Sequence, residues 1–153
     1  IDEIKRKYDL KKYILLFPFC SPHLKIKKWP YYNDLIKLID DKYGNNYKVI
    51  TAPGSSEIVE AKNLNSVCVL DNDKALNIPQ LTSLIKESSF IVANDTGPAH
   101  IAAHVGAKGL TLFGKHTSAY KVNIERENFR AIEVSDLNNL SAGKVFERLT
   151  NLL

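Results

Sequence analysis

The chain has 153 residues, 44% of them hydrophobic and 25% charged, a size and balance that fit one globular domain and exclude a disordered or low-complexity chain. Its net charge of +4 is local: residues 1–28 hold eight Lys/Arg against three acids, and the remainder thirteen against fourteen. That basic segment suits a diphosphate or an anionic membrane surface, but aromatic residues do not alternate with the basic ones as in base-stacking surfaces, so nucleic acid is not an expected partner.

Residues 1–12 are charged with sparse apolar positions and read as a linker or short helix entering a single domain over residues 13–153; they lack the apolar core of a signal peptide. The chain contains no methionine, so we read it as a piece of a longer protein. Tyr13–Phe19 is the first expected strand, with Pro18 marking its end. The loop that follows carries Lys25, Lys27 and Lys28 and closes on Trp29-Pro30, where Pro30 opens a helix from Tyr31 to about Tyr43 and Trp29 serves as a packing anchor. Gly44-Asn45-Asn46 ends that helix, and Tyr47–Ala52 is the second strand. Pro53-Gly54-Ser55-Ser56 then turns into a helix from Glu57 to Leu64, capped by Ser55 or Ser56. Val67–Leu70 reads as a short buried strand and residues 71–77 as a polar loop. Leu81, Leu84 and Ile85 fall at helical spacing within Pro79–Lys86. Cys20 and Cys68 are expected to be buried free thiols, which points to a reducing compartment.

The central stretch is Phe90-Ile-Val-Ala-Asn-Asp-Thr-Gly-Pro-Ala-His-Ile-Ala-Ala-His-Val-Gly106, a strand that breaks at Asn94-Asp95-Thr96-Gly97-Pro98 into a helix. With Gly97 as cap and Pro98 in the first helical position, the amides of Ala99 and His100 point back toward the strand end, and Gly106 stops the helix after two turns. Such a corner favours an anion. His100 and His104 stand four apart on this helix, a spacing that can share a metal, yet no third ligand accompanies them and no metal is expected. His100 is the better placed to reach a phosphate oxygen, and His104 is expected to pack. Leu110–Gly114 forms the next strand; Lys115 adds a cation after it, and Thr117 and Ser118 add hydroxyls. Phe129–Val134 is an edge strand, and Ser141 caps a last helix to Leu152. Strands alternating with helices at this spacing predict an α/β, Rossmann-like, mostly parallel sheet with helices on both faces.

The run Asn94-Asp-Thr-Gly-Pro-Ala-His-Ile-Ala-Ala103, with Leu112-Phe113-Gly114 downstream, resembles the D-[ST]-G-x-x-H-x-A-A signature of glycosyltransferase family 9, the ADP-heptose:lipopolysaccharide heptosyltransferases. The resemblance runs from about Ile14 to about Tyr120 and covers what would be the C-terminal, donor-binding half of those two-domain GT-B enzymes. It implies a nucleotide-sugar site in which Lys27, just before Trp29-Pro30, neutralises the leaving diphosphate, Ser21 lies near phosphate, Glu57 meets the ribose and Leu76 lines the base pocket. Asp95, Thr96, Gly97 and His100 complete it. Thr96 and Gly97 offer amides to the diphosphate, while Asp95, which would repel phosphate, holds the turn or accepts from sugar hydroxyls. The family usually continues after Gly114 with Pro and Thr or Ser, where this chain has Lys115-His116.

The function that follows is an inverting transfer of heptose from ADP-heptose to the lipopolysaccharide core, in the cytoplasm or peripherally at the inner face of the inner membrane. The acceptor domain and general base would lie in the N-terminal half, so the isolated domain is expected to bind without turnover. A non-catalytic nucleotide-sugar-binding module, or a GT-B-like sugar-nucleotide epimerase with its related Asp-Ser-Gly turn, would share the same corner.

Overall fold

In a computed structural model that describes residues 1–20 and 22–153, the expected strands form one six-stranded sheet. The strands are β1 (Tyr13–Phe17), β2 (Lys48–Thr51), β3 (Val67–Cys68), β4 (Phe90–Asn94), β5 (Gly109–Phe113) and β6 (Phe129–Glu133). They lie in the order β3-β2-β1-β4-β5-β6, and every pairing is parallel. This is the doubly wound Rossmann order, and its direction reverses between β1 and β4. The helices are α1 (Asp2–Lys7), α2 (Tyr32–Tyr43), α3 (Ile58–Lys62), α4 (Ile78–Glu87), α5 (Gly97–His104), α6 (Ala119–Val122) and α7 (Ala142–Leu152). None of them is long and apolar enough to cross a membrane.

The strands are near-continuous apolar runs because both faces of the sheet are covered. On one face Ile14, Leu16, Val92 and Leu112 meet Leu35, Ile36 and Ile39 of α2 and Val145 and Leu149 of α7. On the other, Leu15, Phe17, Ile91 and Ala93 meet Leu84 and Ile85 of α4 and Ala99, Ala102 and Ala103 of α5. The alanines of α5 let this helix lie close to the sheet. It ends in a Schellman turn, with Gly106 at φ +74° and the Ala107 amide donating to Ala102 O at 3.0 Å.

Several boundaries differ from the sequence reading. Tyr32 begins α2, one residue after the expected Tyr31. Residues 55–57 form a 3₁₀ turn, so α3 starts at Ile58, and neither Ser55 nor Ser56 caps it by its side chain. Asn77 and Gln80 cap α4 reciprocally, each accepting from the other's backbone N–H at 2.9 Å. Both cysteines are free and half-buried, not fully buried. Trp29 packs as expected: it is 1% exposed, its ring meets Tyr32 edge-on with centroids 4.9 Å apart, and its Nε1–H donates to Leu140 O at 2.7 Å. At the β6 margin the Glu125 carboxylate accepts from the Ala131 N–H at 3.0 Å and Phe129 O accepts from the Arg126 N–H at 2.8 Å.

Gly109 opens β5 where two neighbouring strands crowd it. A Cβ there would stand 2.5 Å from Ile91 O and 3.0 Å from the Phe129 ring. Gly109→Ala is therefore expected to lower stability by about 1–3 kcal/mol through a forced strand shift, read as the change in urea midpoint at constant m-value.

Candidate functional site

The chain reversal between β1 and β4 leaves a crevice at the carboxyl ends of these strands, the place where open α/β sheets bind ligands. The fully buried Asn94 holds the two ends together. Its side chain donates to Pro18 O at 2.9 Å, past the end of β1, and accepts from the Tyr32 hydroxyl at 3.0 Å. Burial pushes the Tyr32 phenol well above its ordinary pKa, so it stays a donor. The sequence reading gave Asn94 no role.

Directly after Asn94 the chain turns through Asp95 and Thr96 into α5. Thr96 is the N-cap and Gly97 the first helical residue, one position earlier than expected. The amides of Ala99 and His100 are not free, since both donate to Thr96 O, at 3.1 and 3.4 Å. The amides of Thr96 and Gly97 have no protein acceptor among the described residues, so the free donors of this turn lie three residues nearer the strand than expected.

Asp95 is the electrostatic centre of the crevice. Its side chain is 7% exposed, and Oδ2 lies 3.4 Å from Lys27 Nζ and 3.2 Å from His116 Nε2, while Oδ1 lies 3.7 Å from His100 Nε2. Its oxygens face side-chain nitrogens from the β1 loop, from α5 and from the segment after β5, contacts to which the sequence reading, with Asp95 holding the turn or accepting from sugar hydroxyls, gave no place. Lys27 is likewise no solvated loop lysine, being 25% exposed and drawn in by this carboxylate.

Two adjoining hollows flank the turn. A small one of about 320 Å³ is lined by Cys20, Leu24, Lys27, Asp95 and the Glu57, Thr96, Gly97 and Pro98 that it shares with its neighbour. The neighbour, about 470 Å³, is predominantly apolar, with Phe17, Phe19, Leu76, Ile78, Leu81 and Ile101 in its wall. Glu57 stands at the boundary, where its Oε1 also accepts from the Gly54 N–H at 2.9 Å. Burial pushes the Cys20 thiol up from its ordinary pKa, with Lys28 the chief opposing influence, which makes it a poor nucleophile at neutral pH. A third hollow of about 700 Å³, between α6 and β6, shares no residue with these two, and its Glu125 and Glu133 are already acceptors for backbone amides.

Of the residues singled out in the sequence, Lys27, Glu57, Leu76, Asp95, Thr96, Gly97 and His100 thus come to one crevice, and Ser21 lies outside the described residues. His104 does not pack; it is exposed, with Nδ1 2.8 Å from His100 O. Ser118 is occupied in capping α6, accepting from the Lys121 N–H at 3.2 Å, and Lys115 lines a separate hollow with Ile26, Lys28 and Asp136. No group of three or more His, Cys, Asp and Glu able to hold a metal occurs among the described residues. Besides Asn94, sequence reasoning missed His116. Its only signal was a histidine two positions beyond Gly114, where the resemblance expects Thr or Ser.

A doubly wound parallel sheet with hollows at its switch point is the Rossmann-like fold found in GT-B glycosyltransferases, and solved structures agree in fold. ADP-heptose LPS heptosyltransferase II of E. coli superposes with a TM-score of 0.78 at 23% identity, covering 99% of this chain and 50% of that one. Heptosyltransferase WaaC of E. coli with ADP gives 0.77 at 18%, covering 95% and 45%. The family 9 glycosyl transferase of Veillonella parvula gives 0.80 at 14%, covering 99% and 49%. This chain spans about half the length of these solved relatives. A comparison with curated protein sequences found no match. The sequence matches the profile of glycosyltransferase family 9 (heptosyltransferase) over residues 2–145, and the chain belongs to that family.

Proposed function

We propose that this domain binds the nucleoside diphosphate of a sugar donor of the ADP-heptose type, and that the longer protein transfers the sugar to a lipopolysaccharide-core acceptor. The observation that carries this reading is the continuity of an apolar hollow with a smaller one bearing Lys27 and the Thr96 and Gly97 amides, across a boundary at Glu57. A base fits against Leu76 and Phe17, the Glu57 carboxylate can accept from two neighbouring ribose hydroxyls, and the diphosphate reaches the α5 terminus.

As the glycosidic bond breaks, negative charge grows on the leaving diphosphate. Lys27, the two amides and His100 are arranged to offset it without a metal, and the inverting base would come from the N-terminal half. The basic excess of residues 1–28 suits an anionic membrane surface, and we place the protein in the cytoplasm, peripheral at the inner face of the inner membrane.

Calorimetry with ADP, AMP, GDP and UDP tests the reading. ADP is expected to bind at least about tenfold more tightly than AMP, because the second phosphate is what Lys27 and the amides recognise, and EDTA is expected to leave that difference unchanged. Equal affinities for AMP and ADP, or loss of binding with EDTA, would refute it.

A further inference from the structure

We propose that His116 is a positioning residue for the donor diphosphate: it keeps the Asp95 carboxylate satisfied so that Lys27 can leave it for a phosphate oxygen. This rests on the nucleoside-diphosphate reading above. Lys27 and His116 meet the same oxygen, Asp95 Oδ2, at 3.4 and 3.2 Å. A carboxylate only 7% exposed is costly to leave without a partner, so Lys27 can depart only if another donor stays.

The two donors differ in freedom. Lys27 ends a four-carbon stem on the loop after β1 and lines the small hollow together with Thr96 and Gly97, so a modest swing carries its ammonium from Asp95 toward a phosphate at those amides. His116 is fixed. Its side chain is 8% exposed, its ring stacks on Phe113 with centroids 5.9 Å apart and planes 22° from parallel, and its Nδ1 lies beside Gly114, 3.6 Å from where a Cβ there would stand. Nδ1 is buried with no partner among the described residues. A buried N–H with no acceptor costs more than a bare ring nitrogen, so the proton belongs on Nε2, where it donates to Asp95. His100 cannot substitute, because at 3.7 Å and 39% exposed it lies beyond hydrogen-bond reach.

The test titrates ADP and AMP into the 153-residue chain and into two variants. His116→Phe keeps a ring against Phe113 and removes the donor; His116→Gln restores an amide donor. His116→Phe is expected to lose about tenfold in ADP affinity with AMP unchanged, and His116→Gln to stay within about threefold of the original for both. Unchanged ADP affinity in His116→Phe overturns the proposal. So does an equal loss for AMP and ADP, or a loss that Gln does not repair, either of which makes His116 purely structural. If the original chain itself binds ADP no better than AMP, the donor reading fails and this proposal with it; if that difference is present and survives in His116→Phe, only this proposal fails. Should His116→Phe not fold, long-range ¹H–¹⁵N spectra of the unsubstituted chain decide. The His116 Nε2–H signal is expected to persist when ADP is added, and its disappearance overturns the proposal.

Discussion

Replacing Lys27 by alanine is expected to weaken ADP binding by about 1.5–3 kcal/mol, roughly 10- to 150-fold, the scale of a charge-assisted hydrogen bond. AMP binding should change little, since the contact concerns the second phosphate. The fold should survive: Asp95 keeps His116, and the loss of a partly exposed partner is expected to cost under about 1 kcal/mol of stability. Lys25→Ala and Lys28→Ala are the controls. Lys28 is paired with Glu60 across the loop, and its removal should act only through general attraction that fades with added salt. A calorimetric loss confined to Lys27 and insensitive to salt supports the assigned contact; equal small losses at all three positions reduce the loop to a basic surface.

Trp29→Ala should have the largest effect on stability, about 3–5 kcal/mol out of a total of about 5–15 kcal/mol for a domain of this kind. The indole fills space against Tyr31 and Tyr32 and ties the β1 loop to the segment before α7 through Leu140 O. Trp29→Phe separates the two contributions: it keeps an aromatic ring but removes the N–H, and is expected to cost about 1–2 kcal/mol. Urea unfolding followed by circular dichroism measures both, and a loss below about 1 kcal/mol for the alanine variant would refute the anchoring role. Because Trp29 lies two residues from Lys27, Trp29→Ala should also weaken ADP binding under conditions where the domain remains folded.

Much of the fold was legible because each element announced itself locally. Ile14-Leu-Leu16 and Ile91-Val-Ala93 are apolar throughout, as strands covered on both faces must be, and Asn94 to Pro98 joined strand-breaking and helix-starting residues in one turn. What escaped was of two kinds. Helix starts slid by one residue, to Tyr32 and to Gly97, because a proline near a helix start does not mark a single position: Pro30 lies before the N-cap of α2 and Pro98 is second in α5. Pairings between distant segments left no periodic trace. Lys27 and His116 reach Asp95 from 68 positions before it and 21 after it, and Asn94 bridges to Pro18, so neither the carboxylate's neutralisation nor the clamp on the crevice could be read from spacing. The reciprocal cap of Asn77 and Gln80 was visible in principle, as a cap residue followed three positions later by Gln.

The small contacts at the outer margin of β6 bear on how the molecule behaves at high concentration. An open sheet has two lateral margins at which backbone groups can recruit a strand from another molecule, the route to domain swapping and fibrils. At one margin β3 offers only two residues, too few to template a partner. At the other, Glu125 occupies the Ala131 N–H and Arg126 the Phe129 carbonyl, so the chain has folded its own preceding segment over the groups a visiting strand would need. Two of the outward backbone groups of β6 are thus already spoken for, which shortens the stretch of edge left to a visiting strand.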